Sequence, residues 1–266
     1  METPLPVSLQ SLMATYLKGL EPVCSHFYGI YIYGSIALDA FEEQESDIDI
    51  IALMQGEWTS DELRQLAAAH AQLLREQPQS HRLDVQYLPL RDVGKMGEIA
   101  PHPLLRDGKF VPATTHGDLN AVTWWITKQQ GIRLYGPEPS ALPLEVAWKD
   151  VLATMRYNLD GYWASKAKRP YLFWFDDWVM TAVATLCRIL TAIEEGEIIA
   201  KSPALLRWRD RFPPRWQLLL DEAWRIRHHL DQTSLYRSRL KRTSETLAFI
   251  KYVRKRGHEG LAASSM

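Results

Sequence analysis

The apolar positions follow two different patterns along the chain. Up to about residue 143, short apolar runs alternate with amphipathic segments, which is typical of strands connected by helices. After that point apolar residues recur every three or four positions over long stretches, which predicts helices. The pattern therefore predicts an α/β (α+β) domain over residues 1–143, followed by a helical-bundle domain over residues 144–266.

The first domain is predicted to contain four helices and four strands. We expect helices over residues 6–20, 36–41, 60–77 and 119–130, and strands over residues 26–33, 47–54, 83–88 and 132–135. Ser60 and Asp61 supply the expected cap of the third helix. Residues 89–117 are rich in proline, glycine and charge, so we expect a long irregular segment there. The three prolines within residues 136–143 make that stretch the best linker candidate.

The second domain is predicted to be entirely helical. The expected helices cover residues 144–165, 176–195, 203–210, 214–231 and 238–256. Pro203 suits a first helical turn, and Gly196 and Gly257 suit helix ends.

The composition is that of a globular protein and limits the setting in which it works. The chain has 266 residues, 46% of them hydrophobic, and lacks an apolar run of transmembrane length. Its N-terminus lacks the basic and apolar regions of an export signal. Cys24 and Cys187 are the only cysteines, which excludes a disulfide framework. We therefore expect a cytoplasmic monomer that does not associate with membranes.

The net charge of −1 hides a division between the two halves. Residues 1–150 carry 11 Lys and Arg against 20 Asp and Glu, a net charge of −9, whereas residues 151–266 carry 20 against 12, a net charge of +8. Opposite charges favour docking of the two halves and would flank a cleft with fields of both signs. The alternative is that each half simply has a charged, solvated surface. Arg-rich runs at 207–215 and 237–242 leave nucleic-acid binding open, although we do not expect it.

A Gly-Ser turn and an Asp-x-Asp pair carry the candidate chemistry. Gly34-Ser35 follows the first predicted strand, and Asp47 and Asp49 lie at the start of the second. Glycine lets the backbone approach a phosphate closely, and the serine hydroxyl can donate to its oxygens. Asp47 and Asp49 are two residues apart on a strand, so both point to one face. Together they could hold Mg²⁺ while a bound phosphate completes its coordination. The alternative is an acidic surface turn, which the adjacent apolar strand makes less suitable.

Asp84 is the third candidate carboxylate. It lies in the strand expected to pair near the Asp-x-Asp strand, so the three Asp residues form a consistent catalytic constellation. Asp84 could be a third metal ligand, or a general base that takes a proton from a substrate hydroxyl. The structural alternative is a solvent-exposed aspartate on an edge strand.

These parts favour nucleotidyl transfer over γ-phosphoryl transfer, because the Walker pattern with its lysine is missing. Magnesium would orient the α-phosphorus of ATP for attack by an acceptor hydroxyl, and pyrophosphate would leave. A second motif, His116-Gly117-Asp118, looks like the catalytic loop of aminoglycoside phosphotransferases. Position 123 is threonine where that loop needs asparagine, so we expect Asp118 to cap the next helix.

These residues resemble the aminoglycoside nucleotidyltransferases, and more narrowly the streptomycin/spectinomycin adenylyltransferases. Gly34-Ser35 together with Ser46-Asp47-Ile48-Asp49 matches the family's phosphate and metal motif. The resemblance implies a polymerase-β-like nucleotidyltransferase domain with a mixed sheet, which binds ATP and Mg²⁺ through these residues. Asp84 stands where the family has a Glu that is the proposed catalytic base, and its side chain is one methylene shorter.

The resemblance extends into the helical half. Thr185-Leu186-Cys187-Arg188-Ile189 and Gly196-Glu197-Ile198-Ile199-Ala200-Lys201 resemble a helix and following turn whose Arg and Lys contact ATP phosphates. It therefore implies phosphate contacts for Arg188 and Lys201. On the residues alone, an ion pair for Arg188 and a solvated cap for Lys201 are the alternatives.

The resemblance also implies an antibiotic pocket formed by Trp and Asp residues before the Arg-bearing helix. In that stretch this chain has Trp163, Trp174, Asp176, Asp177 and Trp178. We take the last four of these as the substrate-binding candidates. Aromatic faces and carboxylates suit a cationic sugar. Core packing of the Trp residues and helix capping by the Asp residues are the alternatives.

The expected function is Mg-dependent transfer of AMP from ATP to a hydroxyl of streptomycin, spectinomycin or both, which would confer antibiotic resistance. A second hypothesis keeps the chemistry and changes the acceptor to another small molecule or a protein. A third is a non-catalytic module that binds nucleotide or RNA, based on the basic helical half.

Overall fold

The computed structural model describes residues 5–96, 99–115, 119–230 and 233–263. The chain divides into two compact units, Met1–Val146 and Ala147–Met266. The predicted domain boundary, between residues 143 and 144, lies three residues before this division. Within the described ranges, no helix is long and apolar enough to cross a membrane.

The first unit is built on a mixed sheet with the strand order β5-β4-β3-β2-β1-β6. The strands are β1 (Phe27–Ile32), β2 (Ile48–Met54), β3 (Leu83–Pro89), β4 (His102–Arg106), β5 (Lys109–Thr114) and β6 (Ile132–Tyr135). The helices of this unit are α1 (Val7–Gly19), α2 (Gly34–Ala37), α3 (Ser60–Glu76) and α4 (Ala121–Gln130). Strands β2 and β3 pair in parallel, whereas the other neighbouring strands pair antiparallel. This arrangement confirms the predicted mixed sheet.

Side-chain alternation gives the central strands two different faces. Ile50 of β2 and Val85 of β3 belong to a buried apolar cluster that also contains Leu9 and Leu12 of α1 and Leu66 of α3. Because successive side chains of a strand point to opposite faces, residues 49 and 84 lie on the face away from this cluster. The core therefore occupies one face of the sheet and leaves the other for the candidate carboxylates.

Two helix caps differ from the predicted ones. Helix α3 is capped by Thr59, whose hydroxyl accepts from Glu62 N while the Glu62 carboxylate accepts from Thr59 N, so neither Ser60 nor Asp61 is the cap. This reciprocal pair satisfies two backbone donors at once. Helix α4 is capped by Asn120, which accepts from Val122 N at 2.9 Å. Asp118, the predicted cap of that helix, lies outside the described residues.

The segment predicted to be irregular contains a β-hairpin. Strands β4 and β5 pair through the turn at Asp107 and Gly108, which have φ angles of 51° and 69°. Positive φ at both positions is the geometry of a tight hairpin turn. Pro103 coincides with a register irregularity, and Pro112 lies on the edge strand β5, where a missing N–H is tolerated. The prediction was wrong because proline and charge were taken as signs of a loop.

The second unit is helical, as predicted. Its helices are α5 (Trp148–Tyr157), α6 (Trp163–Ala167), α7 (Asp176–Glu195), α8 (Lys201–Arg209), α9 (Gln217–Arg227) and α10 (Arg239–Ala263). Helix α7 is the centre of the unit, because it packs against α5, α8, α9 and α10. A π-helical turn at Asn158–Tyr162 joins α5 to α6.

The two glycines predicted at helix ends have different roles. Gly196 ends α7 in the left-handed conformation with φ 68°, which confirms that prediction. Gly257 lies inside α10, so the prediction of a helix end there was wrong. A Cβ at Gly257 would lie 2.6 Å from Leu159 Cδ1, which shows that this glycine permits close packing of the helix.

Candidate active site

The Gly-Ser turn between β1 and α2 places a backbone turn directly against Asp49. Gly34 has a φ of +66°, and a Cβ built on it would lie 1.9 Å from Asp49 Oδ2. Tyr33 N donates to Asp49 O at 3.0 Å, which fixes the turn to the start of β2. Only glycine satisfies both the backbone conformation and the space at this position.

Ser35 supplies a buried hydroxyl beside this turn. Its Oγ is inaccessible to solvent and has no hydrogen-bond partner within the described part of the chain. Buried hydroxyls normally have a partner, so this group fits a ligand oxygen. Ser46 differs, because its Oγ accepts from Glu42 N at 3.1 Å and closes a local turn. The predicted cofactor contact of Ser46 stays a prediction.

The candidate carboxylates come from two neighbouring strands. Asp49 of β2 is the direct register partner of Asp84 of β3, so their side chains project from adjacent positions on one sheet face. Asp47 precedes β2 and is exposed. The three carboxylates thus come from two chain segments, because Asp47 and Asp49 belong to the same one.

Asp84 is engaged by a guanidinium. Arg106 Nε donates to Asp84 Oδ2 at 2.7 Å, and the Asp84 side chain is 15% exposed. Among the described residues, no group of three or more His, Cys, Asp or Glu side chains could hold a metal ion. The three candidate carboxylates do not form such a group in the described residues, and the metal-ligand roles of Asp47, Asp49 and Asp84 stay predictions.

A cleft of about 250 Å³ opens beside these residues. Asp47, Asp84, Arg82 and Arg106 line it together with the turn residue Asp107, so it carries charges of both signs. Arg82 also donates to Ser46 O at 3.0 Å through Nε, which holds the segment before Asp47. A cleft with carboxylates and guanidinium groups suits a polar, phosphorylated ligand.

Arg82 and Arg106 were missed by the sequence analysis. Arg106 ends β4 immediately before Asp107-Gly108, a dipeptide that is a strong hairpin signal between two extended runs. Applied to residues 102–114, that signal predicts the two strands and brings Arg106 beside the strand of Asp84. Arg82 has no comparable signal in the sequence.

In the helical unit, Arg188 and Lys201 lie near each other. Arg188 of α7 donates from Nε to Ile199 O at 2.7 Å, and Lys201 is the first residue of α8, two positions further on. The segment between α7 and α8 therefore brings the start of α8, with Lys201, close to Arg188. Their predicted phosphate contacts stay predictions.

The four predicted substrate residues lie where α7 begins. Trp174 is 46% exposed and Asp177 is exposed, whereas Asp176 pairs with Arg242 at 2.7 Å and with Arg225 at 3.2 Å. Lys166 Nζ lies 4.6 Å from the ring centre of Trp178. In contrast, Trp163 is buried in the core of the unit, in agreement with the packing alternative.

Comparison with known proteins gives matches to a family model and to solved structures. Residues 149–255 match the family model described as aminoglycoside adenylyltransferase, C-terminal domain. The fold is similar to that of the spectinomycin adenyltransferase AAD(9) from Enterococcus faecialis, whose crystal structure contains ATP and spectinomycin. That match has a TM-score of 0.66 and 14% sequence identity, and it covers 92% of this chain and 98% of the other. No curated protein sequence matches the chain.

Proposed function

We propose that the chain is an adenylyltransferase, because its residues 149–255 match the family model described as aminoglycoside adenylyltransferase, C-terminal domain. We propose that it transfers AMP from ATP to a hydroxyl of streptomycin, spectinomycin or both, and releases pyrophosphate. The observation that carries this proposal is the contact of the Gly34 turn with Asp49, beside the buried hydroxyl of Ser35.

The residues around this turn fit a nucleoside triphosphate and its metal ion. The missing side chain of Gly34 lets the turn approach the Asp49 carboxylate closely, and the Ser35 hydroxyl beside it can donate to phosphate oxygens. Asp47 and Asp49 offer the hard carboxylate oxygens that Mg²⁺ prefers. When bound, Mg²⁺ neutralises phosphate charge and favours in-line displacement at the α-phosphorus.

Asp84 is suited to the proton transfer. It lies in register with Asp49, and Arg106 fixes its carboxylate at the edge of the cleft. As general base it would accept the proton of the acceptor hydroxyl while that oxygen attacks the α-phosphorus. A third metal ligand is the alternative role, and it would require Asp84 to exchange Arg106 for the ion.

Two cations of the helical unit also suit a phosphorylated ligand. Arg188 and Lys201 lie near each other, which suits the oxygens of the β- and γ-phosphates. Exposed aromatic and acidic side chains near the start of α7, notably Trp174 and Asp177, suit a cationic aminoglycoside. ATP and the antibiotic would thus be the two small-molecule substrates.

A direct assay tests this function. Purified protein is incubated with ATP, Mg²⁺ and either streptomycin or spectinomycin, and pyrophosphate release and the mass of the drug are followed. We expect drug-dependent pyrophosphate, an adenylylated drug, and loss of both when EDTA removes the metal. Asp47→Asn and Asp49→Asn should each abolish turnover. Absence of drug-dependent release with every aminoglycoside and aminocyclitol would reject the acceptor class.

Another acceptor is the second candidate, favoured by the shorter side chain of Asp84 at the proposed base. A shorter base reaches less far towards a hydroxyl, so an acceptor of different shape would suit it. Intact-mass analysis of candidate small molecules and proteins after incubation with Mg-ATP separates the two candidates. An adenylylated product other than a drug, without drug turnover, would favour this second candidate.

A further inference from the structure

The segment before α7 combines a rigid backbone with exposed aromatic side chains. Phe173 is fully buried, whereas Trp174 and Phe175 are 46% and 63% exposed. Large exposed aromatic residues side by side are uncommon on a surface without a binding role.

Two residues of α10 hold consecutive carbonyls of this segment. Thr243 Oγ1 donates to Phe173 O at 3.2 Å, and Arg242 Nη2 donates to Trp174 O at 3.0 Å. Arg242 Nη1 also contacts Asp176 Oδ1 at 2.7 Å. One guanidinium thus bridges the residues on both sides of Phe175.

Arg242 is itself fixed from behind. It is 1% exposed, and its Nη1 donates to Glu222 Oε1 at 2.9 Å. Glu222 also accepts from Arg225 Nε, Ser234 Oγ and Leu235 N at 2.6–2.9 Å. The guanidinium of Arg242 therefore has one orientation, set by a buried and fully hydrogen-bonded carboxylate.

We propose that Arg242 is a positioning residue for acceptor binding, which holds the turn at Trp174–Asp176 so that the aromatic side chains are presented to the antibiotic. This inference rests on the proposed function. Preorganisation of the turn lowers the entropy that acceptor binding costs. The same proposal gives Asp176 a role in supporting the turn, because its carboxylate already contacts two guanidinium groups. The cationic groups of the acceptor then fall to Asp177.

Arg242→Lys tests the proposal, with Arg256→Lys as its matched control. Arg256 lies on the same helix, pairs with Glu194 at 2.7 Å and 2.9 Å, and lies over the ring of Trp208. Lysine keeps the charge but cannot bridge two partners in the planar geometry of a guanidinium. Lost charge-assisted hydrogen bonds should raise the KM for the antibiotic by roughly tenfold while the KM for ATP stays nearly unchanged. The control should change neither value.

Asp176→Asn serves as a second variant, which keeps the hydrogen bonds of Glu222 with Arg225 and Arg242. It should raise the antibiotic KM in the same direction and by less, because Arg242 still holds Trp174 O. A parallel change in both KM values, or a lower melting temperature with no change in antibiotic KM, would overturn the proposal. An unchanged antibiotic KM in Asp177→Asn would overturn the assignment of Asp177 to the cationic groups of the acceptor.

Amide hydrogen exchange keeps this test separate from the test of the reaction. Exchange across residues 173–178 should accelerate in Arg242→Lys and not in Arg256→Lys, whether or not the wild type modifies a drug. A wild type without drug turnover would reject the proposed function. Unchanged exchange across residues 173–178 in Arg242→Lys would reject the positioning role.

Discussion

Asp84 and Glu222 are both carboxylates paired with arginine, yet they lie in different surroundings. Asp84 of the first unit is 15% exposed, lines the cleft, and receives a 2.7 Å bond from Arg106, which is itself partly exposed. Glu222 of the second unit is fully buried and accepts hydrogen bonds from two arginines, a serine and a backbone N–H. The first can exchange its partner for a ligand without opening the fold, whereas the second cannot.

The charge state of Glu222 reflects this enclosure. Burial alone would raise the pKa of Glu222, but the hydrogen bonds from Arg225, Ser234, Leu235 N and Arg242 outweigh it and lower the pKa to about 2. A carboxylate held this way stabilises structure and is not available as a proton acceptor near neutral pH. The comparison therefore separates an arginine partner at the edge of the proposed active site from one that stabilises the fold.

Of the two carboxylates compared here, Asp84 should show the larger effect on turnover. Asp84→Asn should reduce turnover by about 10²–10⁴-fold, the usual contribution of a general base, while ATP binding persists. The free energy of unfolding should change by only about 1 kcal/mol, since the amide oxygen can still accept from Arg106. Steady-state kinetics and urea unfolding measure the two effects. Asp61→Asn on the exposed side of α3 is the control, and near-normal turnover of Asp84→Asn would mean that another group takes the proton.

Glu222→Gln should, in contrast to Asp84→Asn, mainly lower the free energy of unfolding. Two arginines would lose their buried counter-charge, and breaking such a pair costs about 3–5 kcal/mol of stability. Glu194→Gln is the matched control, because Glu194 pairs with Arg256 near the surface and should cost less than about 1 kcal/mol. Urea unfolding of both variants checks this. Equal losses for the two would show that burial of Glu222 adds nothing to its pairing.

His70 is a buried titratable group that, unlike Glu222, is kept neutral. His70 Nε2 contacts Tyr87 Oη at 2.6 Å, and burial lowers the pKa of His70 from 6.5 to about 4. The unfolded chain therefore binds the proton more readily, so this contribution is complete above pH 6.5 and is lost as the pH falls towards 4. The loss by pH 5 is about 2 kcal/mol.

Unfolding free energies at pH 7 and pH 5 test this expectation. His70→Gln should show a smaller difference between the two pH values than the wild type. His81→Gln removes an exposed histidine and should behave like the wild type. An unchanged pH dependence in His70→Gln would mean that folding does not lower the pKa of His70.

The sequence predicted those elements whose local signals agree with their final packing. Helix α7 was predicted with its observed bounds, because acidic residues, an apolar periodicity and Gly196 mark its start, course and end. The hairpin of β4 and β5 was missed because of its two prolines. Pro103 is tolerated at a register irregularity and Pro112 on an edge strand. Both features depend on strand pairing, so local propensity does not reveal them.

The candidate site was predictable in part for a similar reason. Gly34, Ser35, Asp47 and Asp49 lie close together in the chain and form a motif, and the alternation of β3 placed Asp84 on the same face. The partner of Asp84 comes from a strand that had not been predicted. The bond between Asp176 and Arg242 spans 66 positions, so spacing alone gives no sign that this carboxylate is already engaged.

The π-helical turn at Asn158–Tyr162 has a consequence for how its helix meets the bundle. Val151, Met155, Leu159 and Trp163 are all buried and are spaced four residues apart. Such a row drifts around a regular α-helix, because 3.6 residues complete a turn. A turn with i→i+5 hydrogen bonds winds less per residue and offsets that drift. One widened turn thus lets a four-residue repeat keep a straight seam, so insertion or deletion of a single residue there would rotate Trp163 out of the core.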